Sequence, residues 1–355
     1  MTADLVVSCS PYYKGWEALG PSLTGQEAEW AFYDDRPLYF WERLIRRPNV
    51  RMLRASLQAV IRAHRGGAKL LITQDPCATL WCGLICWVLR IRVKHYVNSL
   101  NFPQLPTGFR RHLLRIAFRQ VARFSVHSQM EQRLYSAYFQ LPIERLHLRL
   151  WSIGVPKSSP DSPLQKGRYV SAIGGNGRDY QTLLEASRLL GEIQFVIVVR
   201  PDNLEGLDIP PNVRVLVNAP FEEAMNILLY SDFTVVPLAG SAIPCGHVTL
   251  VCAMHLGRTV VATESEGISD YVISGFNGVL CQPYSVEGMA QAIDHLWNDP
   301  LEIARLATNN RRYGDANCSE SRLRRDIACV LMDAGVRCAT DGSRVQDLDN
   351  CEHEP

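Results

Sequence analysis

The chain of 355 residues exceeds the roughly 250–300 residues at which one hydrophobic core stops growing, so we expect two domains. Apolar residues make up 47% of it and charged residues 21%, which is typical of a globular protein and excludes a disordered or fibrous one. The net charge of +1 conceals an asymmetry, because residues 1–165 hold 22 Lys and Arg against 11 Asp and Glu, and the remainder holds 15 against 25. A basic half suggests a face that meets an anionic partner, although two separately solvated halves would give the same counts.

Cysteines and apolar runs bear on where the protein works. The eleven cysteines are odd in number and form no C-x-x-C pair, which is the usage of a reducing cytosol. The start "MTADLVVSCSPYY" lacks the pattern of a signal peptide, and the apolar run Leu80–Leu89 is shorter than the about 20 residues that cross a bilayer. We therefore expect a cytoplasmic protein, with peripheral contact at the inner face of the cytoplasmic membrane as an option.

Short β-branched runs alternate with helical stretches in the first half. In chain order they are a strand "DLVVSCS", a helix over 53–64, a strand "AKLLITQ", an apolar helix over 78–89, a strand "VKHYVNS", a basic helix over 109–123 and a strand "RFSVHS". This alternation predicts a parallel sheet with crossover helices. The stretch 156–167 is rich in Pro and Ser and has no periodicity, which indicates a linker.

The same alternation restarts after the linker. It runs through a strand "RYVSAIGG", a helix over 180–190, strands "FVIVVR" and "VRVLV", a helix over 221–229 and a strand "FTVVPL". The pattern predicts two doubly wound α/β domains that face a cleft, with ligands at the carboxyl ends of the strands. The expected boundaries are 1–156 for an acceptor domain, 157–167 for the linker, 168–312 for a donor domain, 313–338 for a returning C-terminal helix and 339–355 for a disordered tail.

Two loops of the second half could bind a phosphate. Gly174 and Gly175 end a strand, and Arg178 stands just ahead of a helix, where a guanidinium can grip phosphate oxygens. The loop Cys245–Gly246–His247 leads into a helix that begins near Val248, so its first N–H groups point back into the loop. His247 and Thr249 add side-chain hydrogen bonds there. Core packing is the alternative for His247 and the preferred reading for Cys252.

The order of motifs over 169–312 resembles the donor domain of retaining GT-B glycosyltransferases of the group 1, or family 4, type. The motifs are the glycine turn with its basic residue, "LLEA", "NVRVL", "FEEAMNILLYSDFTVVPL", "AMHLGRTVVAT", "GISDYV", "GFNGVL" and "EGMAQAIDHLWNDP". The stretch "RFSVHSQMEQRLYSAYFQLPIERLHLRLWSIGVP" resembles the end of the family's first domain. The resemblance implies a GT-B fold of two Rossmann-like domains, with a C-terminal helix that returns toward the first.

The resemblance also assigns roles to residues. The family's diphosphate-binding Lys falls on Arg178, its sugar-binding amides on Cys245, Gly246 and His247, and its loop acid on Asp270. It places the nucleotide base and ribose near Arg200 and Asn218. We expect Arg178 and His247 to be catalytic, and the donor site to comprise Gly174, Gly175, Arg178, Arg200, Asn218, Cys245, Gly246, His247, Val248, Thr249 and Asp270.

One departure concerns two glutamates, seven residues apart, that the family carries around this loop. Their positions are Pro244 and Cys252 here, and neither side chain accepts a hydrogen bond as a carboxylate does. The sugar would then be held by backbone amides, His247 and Thr249, or by Glu264 or Glu266 from the next strand end. The departure leaves open that the chain is an inactive relative.

On the acceptor side, Asn98, Asn101 and His127 are the polar candidates, with a structural role as the alternative for His127. Arg111, Arg115, Arg119 and Arg123 recur every four residues, which predicts a basic amphipathic helix that contacts anionic lipid, with a solvated helix face as the alternative. Nucleic acid is discounted, because no stacking aromatics or helix-turn-helix accompany the arginines.

The combined hypothesis is a retaining, metal-independent glycosyltransferase. It would move a sugar from a nucleotide diphosphate sugar of unassigned base to a glycan or lipid-linked acceptor in bacterial surface polysaccharide or exopolysaccharide synthesis. No cofactor is expected, because the nucleotide sugar is a co-substrate. No metal is expected, because no Asp-x-Asp cluster occurs before the expected disordered tail, in which Asp347-Leu348-Asp349 lies. The alternatives are a catalytically inactive nucleotide-binding partner protein and, more weakly, an epimerase or phosphorylase of the same fold.

Overall fold

The computed structural model describes residues 3–11, 16–40, 42, 48–102, 104–157, 162–240 and 245–338. The chain forms two compact units, of which the first comprises Met1–His127, Glu131–Arg149 and Leu323–Pro355 and the second Ser128–Met130 and Leu150–Arg322. The predicted tail at 339–355 and residues 158–161 of the predicted linker lie outside the described residues.

The first unit is built on a parallel sheet with the strand order β2-β1-β3-β4-β5-β6. The strands are β1 (Asp4–Ser10), β2 (Ala28–Asp34), β3 (Leu70–Thr73), β4 (His95–Val97), β5 (Arg123–Val126) and β6 (Leu146–Leu148). The helices that connect them are α1 (Trp16–Thr24), α2 (Pro48–Arg65), α3 (Pro76–Leu89), α4 (Gly108–Phe118) and α5 (Gln129–Phe139). The expected parallel sheet with crossover helices is therefore confirmed, whereas α1 and the edge strand β2 were not predicted.

The apolar helix α3 is a buried crossover helix. Asp75 caps it by accepting a hydrogen bond from the Ala78 N–H at 2.8 Å, and Arg90 ends it in the left-handed region with φ 55°. A Cβ on Gly83 would lie 2.6 Å from the carbonyl oxygen of Ala117, so only glycine allows α3 to approach α4 this closely. None of the helices in the described part of the chain combines the length and apolarity needed to span a bilayer.

The predicted basic helix over 109–123 is wrong in its extent. Helix α4 ends at Phe118, and Arg123 already belongs to strand β5. The N–H groups of Gln120 and Val121 turn back onto the carbonyls of Ala117 and Phe118, which closes the helix. Burial of Val121 in the core then fixes the entry into β5.

The four arginines consequently do not form one stripe. Arg111 donates to the carbonyl of Tyr138 and lies 4.1 Å from the centre of its ring, and Arg115 donates to Gln140. Arg123 pairs with Asp333 at 3.0 Å. Arg119 is the exposed residue that follows α4.

The second unit repeats the architecture with the strand order β12-β11-β10-β7-β8-β9. Its strands are β7 (Val170–Ile173), β8 (Phe195–Val199), β9 (Val213–Val217), β10 (Phe233–Val236), β11 (Thr259–Thr263) and β12 (Val279–Cys281). Its helices are α6 (Tyr180–Leu189), α7 (Phe221–Tyr230), α8 (His247–His255), α9 (Val286–Asn298) and α10 (Pro300–Asn317). Strands β7, β8, β10 and β11 are buried along their whole length, as a sheet covered on both faces requires.

The last helix, α11 (Glu320–Asp333), returns to the first unit as the resemblance implied. Its Ile327, Val330 and Leu331 pack in one buried cluster with Val6 and Tyr96. The ion pair between Arg123 and Asp333 closes its C-terminal end.

Candidate functional site

The glycine turn after β7 has a backbone conformation and close side-chain contacts that favour glycine. Gly174 has φ 119°, and a Cβ there would lie 2.6 Å from Nη2 of Arg178. A Cβ on Gly175 would lie 2.7 Å from Cδ of Arg200. Tyr180, itself buried, donates its hydroxyl to the Gly174 carbonyl at 2.6 Å and so holds the turn open.

Arg178 lies at the centre of this turn and has only neutral partners among the described residues. Its Nη1 donates to the carbonyl of Asn176 at 2.9 Å, and its Nη2 donates to Thr249 Oγ1 at 3.1 Å and to the Ile173 carbonyl at 3.3 Å. Its buried Nε has no partner in the described part of the chain. Burial lowers the pKa of the guanidinium, while Tyr180 acts in the opposite direction. No described carboxylate compensates this charge.

The N-terminus of α8 lies beside Arg178. Gly246 is its N-cap with φ 96°, and no described side chain caps the first-turn N–H groups. A Cβ on Gly246 would lie 3.8 Å from Nη1 of Arg178, and a Cβ on Gly177 would lie 3.0 Å from Sγ of Cys245. The structure thus brings together the glycine turn, the guanidinium and a helix terminus. Val248, in the first turn, has an exposed side chain.

His247 is a buried, neutral histidine. It is 5% exposed, stacks on the ring of Tyr271 with 4.7 Å between centroids, and its Nε2 lies 2.9 Å from the carbonyl oxygen of Gly267. Burial lowers its pKa to about 4, although the bond to Gly267 favours the charged form. Since a carbonyl only accepts, Nε2 carries the proton and Nδ1 is left as an acceptor. His247 therefore cannot supply positive charge to a phosphate near neutral pH.

Thr249 holds Arg178 in place. Its hydroxyl is buried, accepts from Nη2 of Arg178 at 3.1 Å and donates to the carbonyl of Ile173 at 3.2 Å. The sequence suggested Thr249 as a direct ligand, and the structure instead gives both of these hydrogen bonds to protein groups. Cys252, as preferred, is fully buried in the core.

Strand β8 ends in a second polar cluster over the glycine turn. Arg200 donates from Nη1 to Asn176 Oδ1 at 2.6 Å, and Asn203 donates from Nδ2 to the Gly175 carbonyl at 2.8 Å. Asn203 also accepts from the N–H of Arg200 at 3.0 Å, which fixes the turn after β8. Sequence reasoning missed Asn176 and Asn203, although "RPDN" directly after a buried strand was a signal for Asn203.

The remaining donor-side candidates are more scattered. Asn218 follows β9 with φ 51° and an exposed side chain. Asp270 is half-buried, its carbonyl accepts from the Tyr313 hydroxyl at 2.6 Å, and its carboxylate accepts from the N–H of Gln129 at 2.7 Å. Glu264 is exposed and accepts from Gln282. Pro244 lies outside the described residues.

The acceptor-side candidates lie in the first unit. Asn98 bonds to Gln74, and Asn101 donates to Glu131 at 2.9 Å. His127 is 1% exposed, with Nε2 2.8 Å from Ser99 Oγ and Nδ1 3.0 Å from the carbonyl of Arg149. These bonds satisfy both ring nitrogens, so the structural alternative for His127 gains weight. No group of three or more His, Cys, Asp or Glu side chains suited to a metal occurs among the described residues.

Comparisons with known proteins agree on the fold. Residues 168–299 match the family model of the glycosyl transferases group 1. Sucrose-phosphate synthase from Thermosynechococcus elongatus is 14% identical with a TM-score of 0.67, and the match includes 94% of this chain and 99% of that chain. Alr3699/HepE from Anabaena in complex with UDP-glucose is 16% identical with a TM-score of 0.66, and the match includes 94% of this chain and 100% of that chain.

A glycosyltransferase from Rickettsia africae ESF-5 is 10% identical with a TM-score of 0.67, over 94% of this chain and 99% of that one. A search of curated proteins found no match to the sequence. The chain therefore has the GT-B fold, and its residues 168–299 match the model of the glycosyl transferases group 1 family.

Proposed function

We propose that the protein transfers a sugar from a nucleoside diphosphate sugar to an acceptor hydroxyl. The observation that carries this proposal is Arg178, a guanidinium with a buried, unpartnered Nε and no carboxylate partner among the described residues. Leaving a buried charge uncompensated is costly, so the site is built for an anion that arrives from solution.

The surroundings of Arg178 suit a diphosphate in particular. The N-terminus of α8 carries a partial positive charge of about half an elementary charge and offers N–H groups that no described side chain caps. Gly174 and Gly246, both at positive φ, leave room for phosphate oxygens to approach the backbone. Two positive features side by side fit two linked phosphate groups better than one isolated carboxylate.

These groups also suit the chemistry of transfer. When the bond between the anomeric carbon and the phosphate oxygen breaks, negative charge grows on the leaving diphosphate. Arg178 and the first amides of α8 are already oriented to stabilise that charge, with Thr249 fixing the guanidinium. The leaving phosphate can take the proton of an acceptor hydroxyl on the same face of the sugar, so retention needs no protein base. The cation and the helix terminus make a metal ion unnecessary in this scheme.

Nδ1 of the neutral His247 would accept a hydrogen bond from a sugar hydroxyl, because Nε2 is engaged by Gly267. Uridine nucleotides are the first candidates for the donor, since Alr3699/HepE from Anabaena has been solved with UDP and with UDP-glucose. A glycan or lipid-linked acceptor in bacterial polysaccharide synthesis remains the proposed context, and one structural neighbour is a lipopolysaccharide outer core galactosyltransferase.

Peripheral contact with a membrane is a part of the proposal that needs a test of its own. The helical stripe of four arginines that the sequence predicted does not form, because α4 ends at Phe118. The test is sedimentation with vesicles of anionic and of zwitterionic lipid at low salt. Recovery in the supernatant with both would remove the membrane from the proposal.

An inactive nucleotide-binding protein is the second candidate. It is favoured by Cys252, which occupies a position where the resemblance implies a carboxylate and is fully buried. Purified protein should be incubated with UDP-glucose and with other nucleotide sugars, with release of nucleoside diphosphate as the readout. Turnover that falls at least tenfold in Arg178→Ala supports the enzyme, and nucleotide binding without any turnover supports the second candidate.

The matched control for this assay is Arg188→Ala. Arg188 lies on α6 of the same unit and forms an exposed ion pair with Asp208. An exposed pair of this kind contributes at most about 1 kcal/mol, so turnover should not change. Equal loss in both variants would mean that general destabilisation, and not the diphosphate site, explains the effect.

A further inference from the structure

A row of polar side chains crosses the carboxyl edge of the first sheet. Each of the four neighbouring strands β3, β4, β5 and β6 is followed directly by a polar residue: Gln74, Asn98, His127 and Arg149. Asn98 Nδ2 donates to Gln74 Oε1 at 2.9 Å, and Arg149 Nη1 donates to Asn98 Oδ1 at 2.8 Å. His127 Nδ1 lies 3.0 Å from the carbonyl oxygen of Arg149, so the row is continuous.

Arg149 brings a buried charge to this row. It is 9% exposed, and its partners are the side-chain and backbone carbonyls of Asn98 and the hydroxyl of Tyr96, all of them neutral. No described carboxylate lies within ion-pair distance of its guanidinium. The adjacent buried acid, Glu131, accepts instead from the N–H of His127 and from Asn101.

The guanidinium of Arg149 also has N–H groups that the described contacts do not use. Three of its five N–H groups are used in the bonds to Asn98 and Tyr96, which leaves two among the described contacts. The carboxyl ends of parallel strands are where open α/β sheets bind ligands. A guanidinium held there without a counter-charge is matched in shape and sign to a phosphate or a carboxylate.

We propose that Arg149 binds an oxyanion, a phosphate or carboxylate group, carried by the acceptor. The assignment of that anion to the acceptor rests on the proposed function, whereas the existence of the anion site in the first unit does not. Asn98 acts as the positioning residue, because its two oxygens orient the guanidinium.

The test is thermal unfolding of the full chain in an Arg178→Met background, so that the donor site does not contribute. The probes are inorganic phosphate and D-glucuronate, with D-glucose as the neutral control and sodium chloride at matched ionic strength. A ligand that binds only the folded state raises the midpoint, so at least one anion should raise it in a saturable way while glucose does not. Phosphate alone would indicate a phosphorylated acceptor, and glucuronate alone a carboxylate. No saturable rise with either anion would overturn the proposal.

Two variants locate the site. Arg149→Met should abolish the rise in the unfolding midpoint. Asn98→Asp should lower the affinity for the anion at least tenfold, because the new carboxylate pairs with Arg149. Asn98→Asp keeps the bonded oxygen and supplies the missing counter-charge, so it is expected to fold even if Arg149→Met does not. Gln140→Glu, on an exposed residue of the same unit, adds the same charge as a control and should leave the rise intact. An undiminished rise in Asn98→Asp would place the anion elsewhere and refute the assignment.

Donor chemistry is tested separately. The part of nucleotide binding that is lost in Arg178→Met reports on the second unit. If nucleotides bind normally but neither anion raises the midpoint of the Arg178→Met chain, the Arg149 site is rejected and the proposed function still stands. If an anion raises the midpoint but nucleotides do not bind, the donor site is rejected and the Arg149 site still stands.

Discussion

Replacing Arg178 by Met should change folding stability and ligand affinity in different ways. Methionine keeps much of the side-chain volume and removes the charge. In the free protein Arg178 carries a buried Nε without a partner and donates only to neutral oxygens. The substitution therefore removes both a stabilising set of hydrogen bonds and a destabilising charge.

The expected magnitudes follow from these contacts. Three hydrogen bonds from a charged donor contribute about 1.5–3 kcal/mol each, which the desolvation penalty of the guanidinium, several kcal/mol, largely offsets. The midpoint of thermal unfolding should consequently change little. A hydrogen bond to a charged partner contributes about 1.5–3 kcal/mol, so a nucleoside diphosphate should bind roughly 10- to 100-fold more weakly.

The assay is thermal unfolding of the free chain together with calorimetric titration of UDP, GDP and ADP. Arg188→Met serves as the control, because Arg188 is paired with Asp208 at the surface. A variant that unfolds at a clearly lower temperature would mean that Arg178 is a structural cation whose charge is compensated. A variant that binds nucleotides as tightly as the unmodified chain would place the diphosphate elsewhere.

Three further predictions concern the same site. Thr249→Val removes the hydroxyl that links Arg178 to Ile173 and should weaken nucleoside diphosphate binding about tenfold in calorimetry, and unchanged binding would show that the guanidinium needs no support. Gly174→Ala places a Cβ 2.6 Å from Nη2 of Arg178 on a residue with φ 119°. The variant should lose about 1–3 kcal/mol of unfolding free energy in denaturant, and its Arg178 guanidinium should be displaced. A variant that is as stable as the unmodified chain and binds nucleotides normally would contradict this geometry. His247 has a pKa lowered to about 4, so the unfolded chain binds its proton more readily. Its contribution to stability is present above pH 6.5 and is lost as the pH falls from 6.5 toward 4. In His247→Gln the free energy of unfolding should depend less on pH between pH 4 and pH 6.5. An unchanged dependence would refute the lowered pKa of His247.

Much of the fold could be predicted because its sheets are buried. Strands such as Phe195–Val199 are covered on both faces, so they read as continuous β-branched runs. Strand β2 escaped prediction because most of its residues are only half-buried. The end of α4 was missed because arginines recur every four residues through the turn into β5. This spacing continues in the sequence although the helix itself ends at Phe118.

The candidate site was predictable only where the backbone defines it. Glycines after a strand and before a helix marked the turn at Gly174 and the loop at Gly246. Side-chain partners that are distant in sequence could not be deduced, such as Tyr271 stacked on His247. Arg149 was missed because an arginine at the end of a short strand reads as a solvent-facing residue.

The claim that Arg178 and the N-terminus of α8 receive a diphosphate is tested most directly by comparing nucleotides that differ in one phosphate. Calorimetry with UDP and UMP, GDP and GMP, and ADP and AMP should be performed on the unmodified chain and on Arg178→Met. For the base that binds, the diphosphate should bind at least tenfold more tightly than the monophosphate, and this preference should largely disappear in Arg178→Met. Equal affinities for the two nucleotides, or a preference that survives the substitution, would contradict it.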